Sequence, residues 1–251
     1  MPEGDAIRRH ALALAPLLEG KTLVAAYQRG LAVGRLAGAR VLSVEARGKH
    51  LLIATDRDVV VHVHLGMNGG WLKARGPLAE PWRLQRADLA LVTDEHVLLC
   101  RARTVELVHA PFVKSHPALA GLGPDLLGET VDLDEIVARA RRGDPARTVA
   151  DLLLDQDVAA GVGNIWKNET LYREKIHPHT PVAKLDDDGL RRLYARAREL
   201  LQGGVAGRGR LYVYRRGGRG CYACGTPIAS EVTMPLARAT WYCPKCQSLT
   251  C

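Results

Sequence analysis

The segment VLSVEARGKHLLIATDRDVVVHVH, residues 41–64, decides how this chain is read. It divides into three short runs, Val41–Ala46, Lys49–Thr55 and Val59–His64, with turn residues between them. The runs are rich in apolar and β-branched side chains, which suit the pleated, half-buried surface of a strand. Arg47-Gly48 is read as a tight turn, with Lys49 opening the next strand. The same rhythm continues outward. Thr22–Tyr27 lies before the segment, and Trp71–Ala74, Ala87–Thr93, Val97–Arg101 and Thr104–Val108 lie after it. Regularly spaced strands without intervening helices predict an antiparallel sandwich or barrel. His62 and His64 alternate with Val61 and Val63, so they share a face. They can serve as metal ligands, but without a third partner a structural hydrogen-bonding role is the reading adopted.

Helical patterning flanks this β region. Before it, Ile7, Ala11, Leu14 and Leu18 recur at helical spacing, and Asp5 is placed to cap that helix. After it, residues 109–131 carry Pro111, Pro117 and Pro124 with Gly121, Gly123 and Gly128, and read as a linker. Leu133, Ile136, Val137 and Ala140 then form one apolar stripe. Asp144-Pro145 breaks it, Thr148–Leu154 starts another helix, and Asp186–Leu201 is a third amphipathic one. Between the last two lies Gly161-Val162-Gly163-Asn164, with Asn164 read as the cap of a helix through Tyr172. A glycine turn feeding a helix start presents unpaired N–H groups, either to a phosphate or simply to a hairpin turn. The fold class is therefore α+β. Residues 1–110 are expected to form a helix plus an antiparallel sandwich, residues 125–205 a helical domain, and residues 206–251 a metal-held hairpin.

The hairpin expectation rests on two knuckles. Cys221-Tyr222-Ala223-Cys224 and Cys243-Pro244-Lys245-Cys246 are separated by 18 residues. Paired Cys-x-x-Cys at that spacing signals a tetrahedral four-cysteine site for one structural Zn²⁺. The metal would replace a core too small to fold alone. Cys100, within a strand, is read as a small buried apolar residue, and Cys251 as a free terminal thiol.

The 251 residues carry a formal charge of +8, which points to a polyanionic partner. The excess is concentrated at the end. Residues 201–251 hold Arg208, Arg210, Arg215, Arg216, Arg219, Arg238 and Lys245 against one acid, Glu231. The 47% apolar composition excludes a disordered chain. No apolar run is long enough to span a bilayer, and no secretory leader is visible. A cytoplasmic protein is expected, with no membrane partner.

The chain opens Met1-Pro2-Glu3-Gly4-Asp5. Loss of the initiator methionine would leave Pro2 with a free secondary amine. An α-amino group titrates near pH ~8, so part of it is unprotonated at neutrality and can attack an aldehyde-like carbon. Glu3 beside it can give or take a proton.

Taken together, these points resemble the formamidopyrimidine-DNA glycosylase/endonuclease VIII family of base-excision repair enzymes. The resemblance runs through Met1-Pro2-Glu3-Gly4, Gly48-Lys49-His50-Leu51-Leu52, and His64-Leu65-Gly66-Met67-Asn68-Gly69. It continues through Gly161-Val162-Gly163-Asn164-Ile165, His177-Pro178 and the two cysteine knuckles. Each motif is short, and their joint order is specific. The resemblance implies a sandwich domain preceded by a helix, then a helix–two-turn–helix domain and a zinc finger. It implies damaged DNA as partner, duplex or single-stranded, with the lesion flipped out, and a monomeric enzyme that is both glycosylase and abasic-site lyase. By similarity, Pro2 is the nucleophile, Glu3 the proton donor and Lys49 a phosphate contact at the scission point. Asn164 and Arg238 grip phosphates, and Met67 fills the gap left by the flipped base.

Two departures qualify the resemblance. Family members usually carry Glu where this chain has Ala6, and Asp5 stands where proline is common; Asp5 can supply the missing carboxylate. The Arg-Phe pair of the formamidopyrimidine branch is replaced by Arg101-Ala102-Arg103-Thr104-Val105-Glu106. This points to the endonuclease VIII branch and to oxidised pyrimidines as the main substrates. Ala6 also leaves a second reading, a non-catalytic damaged-DNA binding protein on the same scaffold.

Overall fold

The computed structural model describes residues 2–74, 81–233 and 238–249. Met1 and Cys251, both of which figure in the sequence reading, lie outside them. The chain divides into two compact units, Met1–Ala120 and Gly121–Cys251.

The first unit is an antiparallel sandwich with a helix packed on it. Helix α1, Gly4–Leu18, buries Ile7, Ala11, Leu14 and Leu18. Its N-cap is Glu3, and no side chain caps it; Asp5 lies inside the first turn rather than at the cap. The offset is two residues, and an acid in the first turn still meets the positive end of the helix dipole. One sheet runs β3 (Val41–Arg47), β4 (His50–Thr55), β5 (Val59–His64) and β9 (Thr104–His109). The other runs β2 (Leu31–Ala32), β1 (Ala25–Gln28), β7 (Leu89–Val92), β8 (Val97–Arg101) and β6 (Gly70–Ala74). All pairings are antiparallel.

Alternation decides which face is inside. Leu51, Ile53, Val61 and Val63 meet Leu89, Leu91, Leu98 and Cys100 of the other sheet, with Ile7, Leu14 and Leu18 of α1 in the same core. Cys100 is fully buried, as expected for a small apolar residue.

The expected strands appear with small shifts. Thr22 makes only an isolated bridge to Arg40, and β1 begins at Ala25. The turn between β3 and β4 is Gly48-Lys49, so Lys49 belongs to the turn and does not open β4. Gly48 takes φ 57°, which a residue with a Cβ resists at the first place of a two-residue hairpin turn. A short helix, α2 (Pro81–Arg86), interrupts the β region where none was expected. The proline-rich stretch contains a one-turn helix, α3 (Pro117–Ala120), at the end of the first unit.

The second unit is built from α4 (Leu133–Arg142), α5 (Val149–Leu154), α6 (Asn164–Arg173) and α7 (Asp187–Val205). Three of these have side-chain caps at their starts. Asp132 accepts from Asp134 and Glu135 N–H, Thr148 from Asp151 N–H, and Asp186 from Gly189 N–H. Helix α6 differs. Its N-cap is Gly163, not Asn164, and glycine has no side chain with which to cap. The core joins Ile136, Leu152, Val162, Trp166, Leu190, Leu193 and Tyr194. The hairpin β10 (Ala229–Thr233) and β11 (Arg238–Tyr242) follows, its register running from Ala229 opposite Tyr242 to Thr233 opposite Arg238.

Candidate active-site and nucleic-acid residues

In the first unit, Pro2 is half-buried just ahead of α1, and Glu3 is 2% exposed. The Glu3 carbonyl accepts from Ile7 N–H at 3.0 Å, so the backbone beside Pro2 is part of the helix ladder and not a loose tail. A residue at the mouth of a rigid element is held in a defined position. Asp5 is buried and pairs with Arg9 one turn on, at 3.3 Å. Its carboxylate therefore lies in the same first turn as Glu3, with a guanidinium on it. Helix α1 packs against β3 and β4, the strands joined by the Lys49 turn.

Met67 is 64% exposed, an apolar side chain held out to solvent. Its loop is tightly made. Gly66 sits at φ 69°, and a Cβ on Gly69 would fall 2.2 Å from the Leu65 carbonyl oxygen and 2.5 Å from that of Arg101. The backbone closes on itself there, beneath the exposed Met67.

His62 does make structural hydrogen bonds, and it has the partners that the sequence pattern lacked. Its Nδ1 lies 2.8 Å from Glu106 Oε2, and its Nε2 lies 2.8 Å from His50 Nδ1. Glu106 is the cross-strand neighbour of His62 on β9. His116 also reaches the Glu106 carboxylate, at 3.3 Å. Burial lowers the basicity of His62, His64 and His50; His50, with His62 also beside it, is brought to about 3.

In the second unit, Asn164 Nδ2 donates to the Ala239 carbonyl at 2.8 Å, while its buried Oδ1 has no hydrogen-bond partner among the described residues. Ala239 follows Arg238 on β11. The structure thus joins the residue at the start of α6 to the strand that carries the hairpin arginine. Two further bonds tie the same elements: Lys167 Nζ to Thr240 Oγ1 at 2.8 Å, and Trp241 N–H to Asn168 Oδ1 at 2.9 Å. Lys167 and Asn168 are fully buried. Sequence reasoning missed both, because a lysine is ordinarily assigned to the surface.

The four knuckle cysteines converge. Their sulfurs all lie within 4.8 Å of one another, with Cys221–Cys246 at 3.9 Å and Cys224–Cys243 at 3.5 Å. Metal–sulfur bonds of ~2.3 Å in a tetrahedron put sulfurs about 3.8 Å apart, so this cluster fits a four-coordinate metal ion. Cys221 and Cys243 are buried with Val213, Ile228 and Tyr172, and the Tyr172 hydroxyl lies 3.3 Å from Cys221 Sγ. No helix of the described residues is long and apolar enough to cross a membrane.

Comparison with known proteins agrees with this architecture. Residues 1–108 match the formamidopyrimidine-DNA glycosylase N-terminal domain, and residues 122–213 match the H2TH domain of the same enzymes. The protein is 35% identical to Endonuclease 8 2 of Mycobacterium bovis, over 98% of this chain and all of that one. It is 36% identical to the DNA-(apurinic or apyrimidinic site) lyase Nei2 of Mycolicibacterium smegmatis, over 99% of each. Its fold is that of the Lactococcus lactis formamidopyrimidine-DNA glycosylase bound to DNA with an abasic site. The TM-score is 0.85 at 23% identity, over 98% of this chain and 99% of that one. Two family models that between them span most of the sequence, and full-length relatives above 30% identity, place the chain in the formamidopyrimidine-DNA glycosylase/endonuclease VIII family.

Proposed function

We propose that the protein is a bifunctional DNA glycosylase and abasic-site lyase that acts on oxidised bases, mainly pyrimidines, through its N-terminal proline. The observation that carries this reading is the pairing of Pro2 with a buried Glu3 at the head of a helix anchored in the sandwich core. The Pro2 nitrogen attacks C1′ of the damaged nucleotide and the bond from C1′ to the base breaks. Glu3 gives a proton to the ring oxygen as the sugar opens, which leaves an iminium between Pro2 and C1′. The iminium acidifies the C2′ hydrogens. Loss of one expels the 3′ phosphate, and a second elimination expels the 5′ phosphate.

Residues 1–110 are the catalytic part in this reading, 125–205 the helical DNA-binding part and 206–251 the finger. Lys49, in its hairpin turn, contacts the phosphate at the scission point. The exposed Met67 enters the stack where the base has left, which offsets part of the few kcal/mol of unstacking. Arg238 binds the phosphates beside the lesion, and its planar fork suits that geometry. Asn164 adds a phosphate contact through the N–H not given to Ala239, at the start of a helix. Cys221, Cys224, Cys243 and Cys246 hold one structural Zn²⁺, which supplies folding energy to the hairpin and takes no part in the reaction. The endonuclease VIII branch is favoured by the missing Arg-Phe pair.

Borohydride trapping tests the reading. Protein whose mature N-terminus has been established by intact mass is mixed with duplex bearing an oxidised pyrimidine or an abasic site, then reduced. A covalent adduct that forms with a free proline nitrogen and disappears when that nitrogen is acetylated is the expected result. Tight, salt-sensitive binding to the same DNA with no adduct and no strand cleavage would favour the non-catalytic reading.

A further inference from the structure

We propose that His62, Glu106 and His116 form a second metal site, in the sandwich unit, which takes a divalent transition ion through two imidazole nitrogens and one carboxylate oxygen. The site does not depend on the glycosylase reading and is unrelated to the cysteine knuckles. The three side chains come from β5, β9 and the turn before α3, and their ligand atoms all lie within 4.8 Å of one another. The two histidines approach the same oxygen, Glu106 Oε2: His62 Nδ1 at 2.8 Å and His116 Nε2 at 3.3 Å. Bonds of ~2.0–2.1 Å to a tetrahedral ion would set such atoms about 3.3–3.4 Å apart, so the triad closes on an ion by small side-chain rotations. The imidazole rings of His62 and His116 stand edge to face with centroids 4.9 Å apart.

The surroundings support the assignment. A metal-bound histidine is ordinarily fixed by a hydrogen bond from its other ring nitrogen. His62 has that partner in His50, 2.8 Å from its Nε2. Coordination through His62 Nδ1 places the remaining proton on Nε2, directed at His50 Nδ1. His116 binds through Nε2 and carries its proton on Nδ1, at the loss of a 3.3 Å contact from Ala118 N–H. His62 is almost wholly buried, whereas the Glu106 side chain is 44% exposed, so the ion has an entry path and water can fill the fourth position. Two imidazoles with one carboxylate favour zinc, copper, iron or nickel over magnesium or calcium. Three protein ligands and an open position make the ion exchangeable, unlike one enclosed by four cysteines.

Zinc is the probe for the test. Full-length protein with its cysteine site loaded is dialysed against micromolar free Zn²⁺, and zinc per chain is measured by mass spectrometry of the metal. Two zinc ions per chain are expected for the unaltered protein. One is expected for both His116→Ala and Glu106→Gln, with circular dichroism verifying that the variants are folded. Thermal unfolding of the unaltered protein should rise with zinc beyond the first equivalent, and that of the variants should not. Co²⁺ added after the cysteine site is filled should give weak ligand-field bands without sulfur charge transfer. A single zinc per chain in the unaltered protein, or a second one retained by both variants, overturns the proposal.

Discussion

Glu169 offers the sharpest test of how the second unit is held together. Its side chain is buried in α6, and its carboxylate accepts from three consecutive backbone N–H groups: Tyr212 at 2.8 Å, Val213 at 3.0 Å and Tyr214 at 2.9 Å. Val213 is fully buried among Cys221, Ile228 and Cys243, so its N–H has no route to water if the acceptor is lost. An orphaned buried donor costs about 1–3 kcal/mol, and the half-buried Tyr212 and Tyr214 N–H groups lose charge-assisted bonds worth roughly 1 kcal/mol each once water replaces them. Glu169→Ala should therefore destabilise this region by about 4 kcal/mol. In Glu169→Gln the amide oxygen can keep Val213 and Tyr214, while the NH₂ meets the Tyr212 N–H donor to donor. A cost of about 2 kcal/mol is expected. Hydrogen exchange over residues 206–220 reads this directly. A 2 kcal/mol loss accelerates exchange by opening about 30-fold, with the Ala variant faster still. Val213 exchange in the Ala variant at the unaltered rate would refute the idea that this carboxylate anchors the segment.

Other outcomes follow from features already described. Gly69→Ala should displace the Met67 loop, because its Cβ would overlap two carbonyl oxygens; lesion-DNA affinity should fall while the four-cysteine site still loads. Burial pushes the Cys100 thiol well above its ordinary range, so iodoacetamide near neutral pH should leave it unmodified. Chelation should make Cys221, Cys224, Cys243 and Cys246 reactive, as peptide mapping would reveal. Burial, and to a lesser degree Arg9, lowers the basicity of His10. Its unfolded form binds a proton more readily, so its contribution to stability is full above pH ~6.5 and declines as pH falls below that value. A midpoint for the His10 ring proton at or above 6.5 by NMR would contradict this.

Much of the fold was legible because alternation and helical spacing are local. Val61 and Val63 inward, and Leu190 and Leu193 inward, follow from period alone. Element ends were less legible, since two residues separate Asp5 from Glu3 as cap, and one residue separates Asn164 from Gly163 as cap and strand from turn at Lys49. The proposed catalytic positions Pro2 and Glu3 and the knuckle cysteines stood out because each pattern is local in sequence. Long-range polar partners did not. Nothing in Val-His-Val-His announces that Glu106 and His116 meet His62, or that a lysine and an asparagine in α6 are buried against β11. Those contacts join residues 44 to 73 positions apart, and they depend on the sheet order and the hairpin's seat on α6.

Three bonds join the first half of α6 to β11: Asn164 to Ala239, Lys167 to Thr240 and Asn168 to Trp241. Two of these use backbone groups of β11, which any non-proline residue there would supply, whereas the Lys167 bond depends on the Thr240 hydroxyl. A chimera that takes residues 221–246 from a relative would keep the two backbone bonds and would keep the Lys167 bond only if it carried a hydroxyl at position 240. Helix and finger are therefore coupled through one side-chain pair, and substitution at position 167 is constrained by what stands at 240.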